Sequence, residues 1–120
     1  MKIKAIDGSK NVIEKADIDK AIALAGFHFP YMNLGLHSAR FYENDAIDTA
    51  AVDGKFRIQI NGSWFNSISV PQRAAVILHE VWHPRLGHFI RALLFPNVSR
   101  EILNQAMDVE IHCCKKLWNL

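Results

Sequence analysis

The chain has 120 residues, half of them hydrophobic and 22% charged, with a formal net charge of +2. That length can bury a core without staples, and the weak positive charge, with no basic run, argues against nucleic acid or an anionic membrane as partner. No apolar stretch approaches the roughly 20 residues of a membrane span, the N-terminus has no secretory apolar region, and the only cysteines, Cys113 and Cys114, are adjacent. One domain over residues 1–120, in a reducing cytoplasmic setting, is the expectation.

In chain order, Lys2–Ile6 reads as a short strand and Asp7-Gly8-Ser9 as a turn. From Glu14 to Gly26 the apolar residues Ala16, Ile18, Ala21, Ile22, Leu24 and Ala25 keep helical spacing, with Asp17 and Asp19 early, where the helix dipole favours acids. Gly26 and Pro30 are the stop signals. A second, shorter helix is expected over Tyr31–Phe41. His28 and His37 have no partner at ligand spacing and read as surface or core-edge residues.

Ile47–Val52 leads into Asp53-Gly54, a hairpin turn signal, and Lys55–Ile60 alternates polar and apolar residues as a half-buried strand does. The resulting β-hairpin is either a structural cover for the core or a strand beside which a substrate backbone can pair. Asn61-Gly62-Ser63 follows as a turn, with Trp64, Phe65 and Ile68 as apolar anchors. Ser69 and Gln72 then form a capping box, with Pro71 in the first turn, so a helix begins near residue 70.

That helix carries His79-Glu80-Val81-Trp82-His83, an H-E-x-x-H pattern. Residues four apart lie one turn above each other on one face, so His79 and His83 can share one Zn²⁺, with Glu80 on the flank to polarise a water. With six histidines and five glutamates in 120 residues, chance yields the pattern in roughly one such chain in a hundred. Pro84 removes the amide that would bond Glu80's carbonyl, so the helix either kinks past His83 or ends there and resumes before Phe89.

Phe95-Pro96-Asn97 is a break, and Ser99 caps a final helix over about Arg100–Trp118, antiparallel to the metal helix. Cys113 and Cys114 read as buried thiols on it. A catalytic zinc takes three protein ligands and a water. His88, five residues after His83, would sit about 140° around a continuing helix and cannot converge on the same ion. Asp108 is the preferred third ligand, with His112 one turn beyond it on the same face.

The run Ile47–Gly54, the segment Asn61–Phe65, His79-Glu80-Val81-Trp82-His83-x-x-Leu86-Gly87-His88 and Asn104-x-Ala106-x-Asp108-x-x-Ile111 together resemble a known family. It is a zinc metallopeptidase-like domain of bacterial and phage proteins, minimal and zincin-like, often found ahead of a von Willebrand A-like domain. The resemblance implies an α+β fold in which the metal helix packs on a C-terminal helix, beside a small β-hairpin or sheet and an N-terminal helix. It implies Zn²⁺ on His79, His83 and Asp108, Glu80 as general base, a peptide or protein substrate, and a bacterial or phage-infected cytoplasm. His112 stands where the family pattern has an asparagine.

Two functions follow. One is peptide-bond hydrolysis by a metal-activated water, with His88, His112 and Tyr42 as candidate oxyanion donors. The other is a closed, structural zinc module for assembly or partner binding, with His112 as the fourth ligand; His88 is the other candidate for that position or for support of the ligands. A zincin acting in DNA-linked or repressor-cleaving proteolysis would need a partner domain or subunit.

Overall fold

The computed structural model describes residues 3–8, 10–85, 96–99, 101–106 and 108. Four strands, β1 (Ile3–Ala5), β2 (Arg40–Asn44), β3 (Ala50–Val52) and β4 (Arg57–Ile60), form one sheet in the order β1-β2-β4-β3. β2 pairs antiparallel with β1 and parallel with β4, and β3 pairs antiparallel with β4. The helices are α1 (Lys15–His28), α2 (Asn33–Ser38), α3 (Gly62–Ser67) and α4 (Val70–Arg85), and residues 101–106 and 108 are also helical. The architecture is α+β. Among the described residues no helix is long and apolar enough to cross a membrane.

Helix α1 buries Ile18, Ala21, Ile22 and Ala25, the face its spacing predicts, against α4. It runs two residues past Gly26, because that glycine serves a close approach instead of a stop. A Cβ there would meet Asn33 Oδ1 at 2.0 Å. Pro30 opens a 3-10 turn, Pro30–Met32, and is the effective terminator.

The expected helix over Tyr31–Phe41 is only partly present. α2 ends at Ser38, and Phe41 lies in β2, an inner strand of the sheet. The period-two signal of β2 is masked because Glu43 occupies a buried position on the same face as Phe41. Its carboxylate accepts the Ile13 N–H, which makes burial of an acid tolerable. Pairing on both sides then outweighs the local helical pattern.

The β3–β4 hairpin is where the turn signal put it, but Gly54 does not supply the left-handed residue. Phe56 does, with φ of 63°. Asp53 holds the loop together: its Oδ1 accepts the N–H of Lys55 (2.8 Å) and of Arg57 (3.0 Å), and its Oδ2 accepts Arg57 Nε at 2.6 Å. Burial pushes this carboxyl up, yet the Arg57 and Lys55 N–H groups and the Arg57 guanidinium outweigh it and hold it below its ordinary value.

The segment expected to be a turn at Asn61–Ser63 begins α3, with Asn61 Oδ1 capping Trp64 N–H at 3.0 Å. The capping box of α4 is reciprocal. Ser69 N–H reaches Gln72 Oε1 (2.9 Å) and Gln72 N–H reaches Ser69 Oγ (3.3 Å). Of the two outcomes expected at Pro84, helix termination at His83 does not occur, since α4 continues to Arg85. Pro84 therefore lies next to last in α4, and the burial of Ile77, Leu78, Val81 and Trp82, about 1.5–3 kcal/mol each, holds the turns before it.

Candidate metal centre

The apolar side of α4 fixes which way its polar side faces. Ile77, Leu78 and Val81 are fully buried, Trp82 packs edge-on to Phe29 at 5.8 Å, and Gly35 of α2 comes so close that a Cβ would lie 2.9 Å from Val81 Cγ1. With that side locked, His79 and His83 emerge together from the other, their ring centroids 5.1 Å apart and the planes at 75°. Helical spacing alone accounts for the pair.

The third partner arrives from the C-terminal helical residues. Ser99 caps their start, its Oγ accepting Ile102 N–H at 3.2 Å and its carbonyl accepting Leu103 N–H at 3.1 Å. Asp108 then lies across from α4, with Oδ1 3.2 Å from His79 Nε2 and 3.3 Å from His83 Nε2. The three ligand atoms lie within 4.8 Å of one another and could hold a metal ion.

Those distances bear on the fit. Four ligands at about 2.0–2.1 Å from a tetrahedral ion stand about 3.3–3.4 Å apart along each edge. The two His–Asp separations, 3.2 and 3.3 Å, are close to that edge. Two imidazole nitrogens and one carboxylate oxygen are also a donor set that zinc accepts. The residues fit the ion.

Glu80 is 8% exposed and opens on the same cleft, which encloses about 340 Å³ between Thr49–Val52, His79, Glu80, His83, Asn104 and Asp108. β3 is therefore the opposite wall. Its hydrogen bonding to β4 reads out which way its amides point. Asn61 N–H bonds Thr49 O (2.8 Å) and Asp53 N–H bonds Arg57 O (3.1 Å), so Thr49, Ala51 and Asp53 face β4. In an antiparallel ladder the alternate residues, Ala50 and Val52, turn their N–H and C=O groups outward at the sheet edge.

The other sequence candidates fall elsewhere. Tyr42 lies on β2 and lines a different cavity, together with His37, so it is no oxyanion donor for this cleft. His28 is exposed at the end of α1 and stacks edge-on with Phe27. His88, His112, Cys113 and Cys114 lie outside the described residues. Two cleft residues went unassigned from sequence, Thr49 and Asn104. Asn104 was readable in principle, since it stands four residues before Asp108 on one helix face.

A family model, Putative metallopeptidase domain, matches residues 14–114. No curated protein and no solved structure matches. The matched span takes in α1 through α4, Asn104 and all three members of the His79–His83–Asp108 group, and it carries with it a metal-dependent, peptidase-like role. The chain belongs to this metallopeptidase-domain family.

Proposed function

We propose that the domain is a zincin-like, zinc-dependent peptidase in which His79, His83 and Asp108 hold the ion and Glu80 is the general base. The observation that carries this reading is the convergence of three donor atoms beside a buried carboxylate, in a cleft walled by an edge strand. When bound, zinc supplies Lewis acidity, lowering the pKa of water and polarising a carbonyl. The outward amides of Ala50 and Val52 receive the substrate backbone as an added strand. Glu80 takes the proton from water as its oxygen bonds to the scissile carbonyl carbon, then passes it to the leaving nitrogen as the C–N bond breaks.

A closed structural site would need a fourth protein ligand, for which His112 is the sequence candidate. Three donors facing an open cleft, among the described residues, support the catalytic reading instead. The test is a comparison of zinc-loaded wild type with Glu80→Gln and with Asp108→Ala on a quenched-fluorescent peptide library. Glu80→Gln should keep its metal and lose about 10²–10⁴ of cleavage. Asp108→Ala should weaken zinc binding by more than about a hundredfold, since even outer partners of ligands are worth 10–100-fold. Equal rates for wild type and Glu80→Gln, or zinc affinity lost with His112→Ala and unfolding on chelation, would favour the structural module.

A further inference from the structure

The reaction proposed above puts negative charge on the scissile carbonyl oxygen, which zinc, when bound, would meet in part and a protein N–H would stabilise further. As the water oxygen bonds to the carbonyl carbon, the C=O π pair moves onto that oxygen and the water proton goes to Glu80. A donor aimed at the new oxyanion is worth about 10²–10³ in rate. Of the donors suggested by sequence, His88 and His112 lie outside the described residues. Tyr42 opens on another cavity.

We infer that Asn104 is this donor, a substrate-binding and catalytic residue that rests on the peptidase reading. Among the described residues, the cleft lining has no lysine, arginine, tyrosine or tryptophan side chain. Its imidazoles direct their Nε2 atoms at Asp108 Oδ1. Among the described residues that line the cleft, the side-chain amide donor is the carboxamide of Asn104. It sits one turn before Asp108 on the same helix face, exposed, at the edge of the same cleft. A neutral amide also suits its neighbours. A lysine or arginine so close to Asp108 would pair with the carboxylate and compete for it, whereas Asn donates without a net charge. The hydroxyl of Thr49 is the competing donor in the cleft.

Two measurements test the inference on the intact chain. The first is cleavage of the peptide library by the zinc-loaded wild type, Asn104→Ala, Asn104→Asp, Thr49→Val and Glu80→Gln. The second is the affinity of the Co²⁺-substituted proteins for acetohydroxamate, whose carbonyl oxygen needs the same donor, followed by the visible spectrum. Asn104 is exposed and helical, so alanine should leave the fold and the zinc affinity intact. Asn104→Ala should lower kcat by about 10²–10³ with KM changed less than about threefold, and weaken acetohydroxamate by about tenfold. Asn104→Asp, which keeps the shape and removes the N–H, should lose as much. Values within about twofold of wild type, with Glu80→Gln inactive, would overturn the role of Asn104 and leave the peptidase reading standing. The same loss in Thr49→Val alone would move the donor to Thr49, and loss of zinc in Asn104→Ala would make Asn104 part of the metal site. A wild type no faster than Glu80→Gln would overturn both the peptidase reading and this role.

Discussion

The sheet has two edges, and they differ in charge, in cover and in what packs beside them. β1 and β3 are both three-residue strands with one neighbour each. β1 carries Lys4 at its centre, and the outward carbonyl of Ala5 already accepts Asn11 Nδ2 at 3.2 Å. A charged, partly covered edge resists pairing with another chain. β3 is Ala-Ala-Val, uncharged and small, and α4 packs against it with His79, Glu80 and His83 opening on the cleft beside it. An edge strand becomes a candidate binding surface when a helix brings chemistry alongside it and no charge guards it.

Proline can break the comparison most sharply, because at an outward edge position it removes an amide donor without taking a hydrogen bond from the ladder. Val52→Pro deletes an outward amide of β3, and Ile3→Pro deletes one of β1. The first should lower kcat/KM by at least about tenfold, the second should leave it unchanged, and zinc affinity should hold in both. Equal kinetic losses in the two variants would mean that β3 plays no special part in binding.

A smaller effect is expected from Asn61, which anchors the start of β3. Its Nδ2 donates to Ile47 O (2.8 Å), its backbone N–H to Thr49 O (2.8 Å), and its Oδ1 caps α3. Asn61→Asp keeps the cap, loses the donor to Ile47 and sets a carboxylate oxygen against the Ile47 carbonyl. The loss should be about 1 kcal/mol in the free energy of unfolding by urea, with KM rising more than kcat falls.

The smallest effect concerns the far end of β3. The Asp53 carboxyl is held below its ordinary value, so the unfolded chain binds the proton more readily than the folded one. Its stabilisation is therefore present above the ordinary carboxylate range near pH 4 and is lost as pH falls through the depressed pKa. Asp53→Asn should flatten the acid limb of a stability profile, modestly, because the Asp53–Arg57 pair is part-exposed. An unchanged acid limb would show that the backbone alone holds the turn.

Legibility differed along the chain for physical reasons. α4 was readable because its signals are local: a capping box three residues long and two histidines one turn apart. The β3–β4 hairpin was readable from alternation and from Asp53, although the positive φ fell on Phe56. β2 was not readable. Its strand identity comes from neighbours on both sides, and its buried Glu43 is satisfied by the backbone N–H of Ile13, thirty residues away. The helix at Gly26 ran on for a similar reason, since what that glycine serves is Asn33 across a packed interface.

By itself, then, the sequence determined the helix that carries His79, Glu80 and His83, and singled out Asp108 as their partner. Each rests on spacing along one chain segment or on residue type. Only the tertiary structure decided that Asp108 Oδ1 comes within 3.3 Å of both imidazoles, that β3 walls the cleft, and that Asn104 opens on it while Tyr42 does not. Those are matters of how separate elements pack, and packing is set by buried faces that no single segment contains.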